Sequence, residues 1–256
     1  MARPIMLAPD TAPYQLVLSR GLPDEAGAAR LRRDLPEAEW RWIGRLRRTD
    51  DRLRSLVGRA LVRRLLGQRL GVPPDIVDLH AGAHGKPALA GGEPAWHFNI
   101  AHSRDLVLVG VGPEPLGVDV EHCPGRVDAD LWRLVTGRPL PGTPPDEPAA
   151  DAQAFCAEWV RREAALKACG LGLATGPGAL RLQPAAAAGW EAVSGLAEAE
   201  GLRVRLLRDS QDFCAAFCLR ETALPAPAAH RAGRREAPPG DAWSLWAPAL
   251  ADWIDD

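Results

Sequence analysis

Lysine is almost absent from this sequence. Of the 31 basic residues in 256, only Lys86 and Lys167 are lysines, and the remaining 29 are arginines. Lysine offers a compact point charge on a flexible stem, whereas arginine offers a wide planar fork. The two positions that keep lysine are therefore candidates for a geometric need, with chance as the alternative. An excess of charge of either sign is lacking too. A formal net charge of −2 argues against a protein whose main task is to coat nucleic acid. No apolar run approaches the ~20 residues that a membrane-spanning helix needs. The first ten residues hold no apolar stretch of the kind that a secretory leader carries, so a cytoplasmic protein without a membrane partner is expected. Cysteine is sparse. Cys123, Cys156, Cys169, Cys214 and Cys218 are odd in number and scattered, with no CxxC pair and no zinc spacing. Plain thiols in a reducing compartment are the expectation. What the chain does have is apolar residues, 46% of the total, enough for a sizeable core in one large domain or two small ones.

Along the chain, the residues around Tyr14–Leu18 suggest a strand. Leu35-Pro36-Glu37 opens a helix through Trp40, Ile43 and Leu46, with Pro36 in its first turn. A second helix is expected from Asp50 to about Leu70. Leu53, Leu56, Val57, Ala60, Leu61 and Leu65 recur there at helical spacing, and Gly71 with Pro73-Pro74 ends it. Gly85-Lys86-Pro87 falls in a turn. Three strand-like segments follow: Trp96–Ala101, Leu106–Val111 and Leu116–Glu121. The last two read as a hairpin across Gly112-Pro113-Glu114-Pro115. Gly137–Ala150 reads as a surface loop, and Asp151 as the N-cap of a helix to Ala168. Two further strands are expected at Arg203–Leu207 and Phe213–Leu219. A Pro/Ala-rich linker, Thr222–Gly240, then leads to a tail, Asp241–Asp256. Trp243, Trp246, Leu250 and Trp253 are spaced there as in a short amphipathic helix that docks back on the body.

Several residues suit chemistry. In Gly117-Val118-Asp119-Val120-Glu121 strand alternation puts Asp119 and Glu121 on one face. Paired carboxylates suit a hard divalent cation, although acids alternating with valines also suit a half-exposed strand. On the helix ending at Ala168, Glu163 points along the same side as Phe155, Cys156, Trp159, Val160 and Leu166. Glu158, Arg161 and Ala165 point away. A carboxylate on the inward side needs a cation or a lysine, and Lys167 follows one turn later. The alternative is a surface Glu–Lys pair, which belongs on a polar face. In Phe98-Asn99-Ile100-Ala101-His102-Ser103, His102 suits a catalytic pair, a hydrogen bond or a phosphate contact. Lys86, between glycine and proline, is presented rigidly, as a phosphate ligand would be.

Taken in order, Gly85-Lys86-Pro87, Asn99-Ile100-Ala101-His102-Ser103, Gly117-Val118-Asp119-Val120-Glu121 and Trp159-Val-Arg-Arg-Glu163-Ala-Ala-Leu-Lys167 resemble the motifs of the 4′-phosphopantetheinyl transferase superfamily. The closest likeness is to its large single-chain form, which activates non-ribosomal peptide and polyketide synthases. Arg54-Ser55-Leu56-Val57-Gly58-Arg59 resembles the family's N-terminal helix, and the likeness covers residues 10 to 222. It implies an α+β fold of two similar halves forming a pseudo-dimer in one chain: residues 1–115, then 116–222 with the metal site, then a linker and tail at 223–256. It implies that Asp119, Glu121 and Glu163 hold Mg2+, and that Arg41, Arg54, Ser55, Lys86, His102 and Lys167 bind coenzyme A. Glu163, Lys167 and His102 would form the catalytic group, with Glu163 taking the serine proton. The implied partners are acyl or peptidyl carrier proteins of fatty-acid, polyketide or non-ribosomal peptide synthases, met by a monomer. Arg162 stands where the family more often has lysine, Ala101 where serine is common, and Ala38 where a phosphate-binding lysine is expected.

Two other readings compete. The same acids would serve a metal-dependent pyrophosphohydrolase with water as acceptor. The arginine-dense stretch from Arg30 to Arg69 would serve a nucleic-acid binder. Arginine is this chain's default cation, however, and few aromatics apart from Trp40 and Trp42 lie there to stack on bases.

Overall fold

Leu106–Gly112 (β5) is apolar throughout, and all seven of its residues are buried. A strand of this kind needs cover on both faces. The computed structural model, which describes residues 14–81, 87–90, 96–139, 148–171, 175–187, 189–223 and 243–246, supplies that cover from two directions. Tyr14–Arg20 (β1) and His97–Ser103 (β4) flank β5 antiparallel, and Trp243–Trp246 (β11) adds to β1 in parallel. The first sheet is thus ordered β11-β1-β5-β4. Val107, Val109 and Val111 face the helix Thr49–Leu70 (α3), packing with its Leu56, Val57, Ala60, Leu61 and Leu65. Leu106 and Leu108 face the other way, into a core shared with the second sheet.

The second sheet comprises Gly117–His122 (β6), Phe213–Arg220 (β10), Leu202–Asp209 (β9), Glu191–Ser194 (β8) and Arg181–Pro184 (β7), in the order β6-β10-β9-β8-β7. Val118, Val120, Phe213, Ala215, Phe217 and Leu219 pack toward the first sheet. Cys214, Ala216 and Cys218 pack instead against Cys156, Val160 and Ala164 of the helix Pro148–Cys169 (α5). Each half is thus a sheet backed by a 22-residue helix, and the layers run helix, sheet, sheet, helix. This is the expected α+β class with two similar halves. The smaller elements are the helices Glu25–Leu31 (α1), Glu37–Ile43 (α2) and Ala129–Thr136 (α4), and a two-stranded ribbon of Leu79–Ala81 (β2) and Pro87–Leu89 (β3).

Gly117 sets how closely β6 approaches α5. A Cβ there would lie 1.9 Å from the Ala164 carbonyl oxygen and 2.6 Å from the Ala168 nitrogen. Only glycine lets the acidic strand come this near the helix that carries Glu163.

The structure corrects several expectations. β5 and β6 do not form a hairpin: they lie in different sheets, and Gly112-Pro113-Glu114-Pro115 carries the chain between them. Pro113 and Pro115 have no N–H to give to a ladder. The hairpin in this region is β4–β5, whose turn contains Arg104 at φ 51°. Asp151 is not an N-cap, because α5 begins three residues earlier, at Pro148, a residue suited to a helix's first position. This also takes 148–150 out of the expected loop, of which 140–147 lie outside the described residues. α2 ends at Ile43, short of Leu46, and Pro36 precedes it with ψ 154° rather than sitting in its first turn. The tail forms a strand at Trp243–Trp246, where β1 offers an unpaired edge to β-prone tryptophans; Leu250 and Trp253 lie outside the described residues, as does most of the expected linker. The side of α5 expected to face out is covered as well. Ala165 is buried, and Glu158 and Arg161 are half-buried among ion pairs.

Candidate active site

The strand alternation of β6 turns Val118 and Val120 into the core between the sheets and leaves Asp119 and Glu121 on the α5 side. Asp119 is buried, and its Oδ1 accepts a hydrogen bond of 2.5 Å from Lys167 Nζ in the last turn of α5. Glu163, one turn before Lys167, is buried in the same place. Two carboxylate oxygens there, Asp119 Oδ2 and Glu163 Oε1, are buried without a hydrogen-bond partner. Burying an acid without satisfying it is costly.

That cost is visible in the proton affinities. Burial pushes the Glu163 carboxyl up to about 7; the Asp119 charge adds to the rise, Lys167 opposes it, and Glu121 adds again. Burial also raises Asp119, against the Lys167 charge and hydrogen bond. Glu121 is raised by burial and by Asp119, against a hydrogen bond from Ser103 and the Lys167 charge. Among the described residues these three acids thus share one lysine, and a hard cation with oxygen ligands is the partner that this set fits. The three carboxylates do not bring their oxygens all within 4.8 Å of one another.

Basic groups border the acids. His102, at the end of β4, has a solvent-exposed side chain. Burial on its inner side, then the Arg54 charge, and further the Lys167 charge hold its imidazole below the usual range. Arg54 on α3 donates to the Arg104 carbonyl at 2.6 Å and pairs with Asp51. Ser55 is half-buried beside it. The start of α3, the end of β4 and the end of α5 therefore meet, so both halves contribute to one site.

Of the residues expected there, the structure brings together Asp119, Glu121, Glu163, Lys167, His102 and Arg54, with Ser55 adjacent. It does not bring Arg41 to them: Arg41 is exposed on α2 and pairs with Glu37 at 3.8 Å. Lys86 lies outside the described residues.

Other participants were not anticipated. Ser103 Oγ accepts from the His122 N–H at 3.1 Å, and its hydroxyl also reaches Glu121. The His122 ring meets Asp105 at 2.8 Å across Nε2 and Oδ1. A cavity of about 280 Å³ beside Glu121 is lined by His122, Pro124, Leu131, Phe155, Cys156 and Trp159. Part of its wall is α4, which carried a readable signal. Asp128 caps that helix through the Leu131 N–H at 2.8 Å, and Leu131, Trp132 and Val135 follow at helical spacing. The buried Arg162 sits beside Glu158 at 2.7 Å and reaches the Thr136 carbonyl at 3.5 Å, tying α5 to α4.

Comparison with known proteins places this geometry in context. Residues 22–113 match the family model described as 4′-phosphopantetheinyl transferase, N-terminal. A phosphopantetheinyl transferase of Thraustochytrium is 30% identical over 172 residues, 60% of this chain and 59% of that protein. The 4′-phosphopantetheinyl transferase HetI of Nostoc is 31% identical over 174 residues, 60% of this chain and 72% of that protein. The L-aminoadipate-semialdehyde dehydrogenase-phosphopantetheinyl transferase of Xenopus laevis is 28% identical over 151 residues, 54% and 50% respectively. The matched part of this chain thus spans between half and three quarters of these relatives.

Proposed function

This chain belongs to the 4′-phosphopantetheinyl transferase superfamily, and on that premise we propose that it moves the 4′-phosphopantetheine arm of coenzyme A onto a serine of a carrier protein. The acceptor is an acyl or peptidyl carrier protein of a fatty-acid, polyketide or non-ribosomal peptide synthase, modified in the cytoplasm by a monomer. The observation that carries the reading is the group formed by Asp119, Glu163 and Lys167, in which two buried carboxylate oxygens lack partners while one lysine offsets the charge.

Asp119, Glu121 and Glu163 fit a magnesium ion, being hard oxygen donors with coordination capacity unused inside the protein. When bound, magnesium would neutralise charge on the coenzyme A pyrophosphate. Lys167, His102 and Arg54, with Ser55, border the acids and would hold the phosphates, aided by Lys86. Phosphoryl transfer asks mainly for such positioning and charge neutralisation. Glu163, buried beside Asp119 and Lys167, suits a general base that takes the serine hydroxyl proton. The serine oxygen bonds to the β-phosphorus, the anhydride bond to the adenosine side breaks, and 3′,5′-ADP leaves with the bond's electron pair.

The test mixes the protein with coenzyme A, magnesium and a panel of apo carrier proteins and weighs the products by mass spectrometry. A phosphopantetheine adduct that needs magnesium and is lost in Glu163→Ala is expected. Coenzyme A turned over without any carrier protein would overturn the reading in favour of a hydrolase.

A further inference from the structure

Scattered in sequence, three of the five cysteines meet in space. The Sγ atoms of Cys123, Cys156 and Cys214 all lie within 4.8 Å of one another, the sole such metal-capable trio among the described residues. Cys123 follows the end of β6, Cys214 lies on β10 beside it, and Cys156 comes from α5 above. The β6–β10 register pairs Cys214 with Glu121, two residues before Cys123. Cys123 and Cys214 sulfurs are 3.9 Å apart. Zinc–thiolate bonds of ~2.3 Å in a tetrahedral centre place sulfurs ~3.8 Å apart, so this pair already has the required spacing. None of the five cysteines is in a disulfide.

We propose that Cys123, Cys156 and Cys214 form a binding site for one thiophilic d10 cation of the zinc and cadmium class, with its fourth position open to the cavity beside Glu121. Cys214 is carried by a strand locked in the β6–β10 ladder, Cys123 is held just past that ladder by its N–H on the Asp212 carbonyl at 3.0 Å, and α5 is pressed on the strands by the Gly117 contact. Cys156 lines the cavity of about 280 Å³, which gives an ion and a water ligand a way in. Soft thiolates discriminate against magnesium, whose ligands are oxygens, so this site and the acidic one take different ions. The proposal stands on the cysteines alone and is independent of the transferase reading.

The full-length reduced protein is titrated with Cd2+, following the cadmium–thiolate charge-transfer absorption. A band that saturates at one Cd2+ per chain, persists in excess magnesium and is competed away by Zn2+ is expected. Cys123→Ser, Cys156→Ser and Cys214→Ser should each weaken binding at least about 100-fold. Cys169→Ser, Cys218→Ser and Asp119→Asn should leave it unchanged. In the unmodified protein, stoichiometric Cd2+ should protect Cys123 from alkylation while Cys169 still reacts, a readout that needs no variant to fold. An absent band, or one indifferent to serine at Cys123 and Cys156, or alkylation of Cys123 unaffected by Cd2+, would overturn the proposal.

Discussion

Replacing Glu163 by glutamine should stabilise the magnesium-free protein at pH 8 and change it much less at pH 5. The folded protein holds the Glu163 proton to a pKa of about 7, against an ordinary value of 4.5. The folded state therefore binds the proton more tightly than the unfolded one. Stability is fully present below the unfolded value, falls as pH climbs between the two, and is lost above the folded value. Each pKa unit is worth ~1.36 kcal/mol, so the difference corresponds to about 3 kcal/mol; solvent on the open side of the site screens part of this and leaves about 2 kcal/mol. Glutamine keeps the shape and cannot ionise. At about 2–4 °C per kcal/mol for a chain of this size, the variant should melt roughly 4–8 °C higher than the parent at pH 8. At pH 5 the gap should shrink to about a quarter of that. The assay is thermal unfolding followed by circular dichroism in a chelator, repeated across pH. Magnesium should raise the parent more than the variant, since it satisfies the charge that glutamine lacks. An equal gap at both pH values, or a variant less stable at pH 8, would refute the claim that Glu163 is a buried, uncompensated acid.

Three further outcomes are expected. Lys167→Arg should keep the fold within a few degrees of the parent melting temperature yet lower the magnesium-dependent rate by at least about 10-fold, measured by adduct formation. Gly117→Ala should destabilise by about 3 kcal/mol, read from urea unfolding, because its Cβ would strike the Ala164 carbonyl; unchanged stability would mean β6 and α5 are not in this close contact. Arg54→Ala should raise the KM for coenzyme A more than it lowers kcat, since Arg54 borders the acids rather than joining them.

Much of this arrangement was legible because it follows from short-range periodicity. The face shared by Asp119 and Glu121 is a matter of strand alternation, and the inward direction of Glu163 a matter of helical angle. Both survive folding unaltered. What could not be read depends on which strands pair. Alternation says that β5 and β6 are strands, and a four-residue connection suggests a hairpin. Only the third dimension reveals that two prolines carry the chain into a second sheet. The thiol cluster was hidden for the same reason, since Cys123 and Cys214 become neighbours through β6–β10 pairing alone. The tail misled because its tryptophans fit a helical spacing, while the exposed edge of β1 rewards a strand.

The scarcity of lysine acquires a physical reason at Asp119. Elsewhere in this chain guanidinium groups can occupy both oxygens of one acid. Glu39 is gripped by Arg59 on Oε1 and by Arg63 on Oε2. A single arginine facing Asp119 has a fork that matches both oxygens of a carboxylate at once. Lys167 instead delivers a single ammonium to Oδ1 and leaves Oδ2 buried without a hydrogen bond. The lysine therefore does two things that an arginine would not do together. It offsets enough charge for the acid to be buried, and it keeps one oxygen in reserve for the cation proposed here. In a chain that uses arginine at 29 of its 31 basic positions, that reserve is a sufficient reason for lysine to persist at this one.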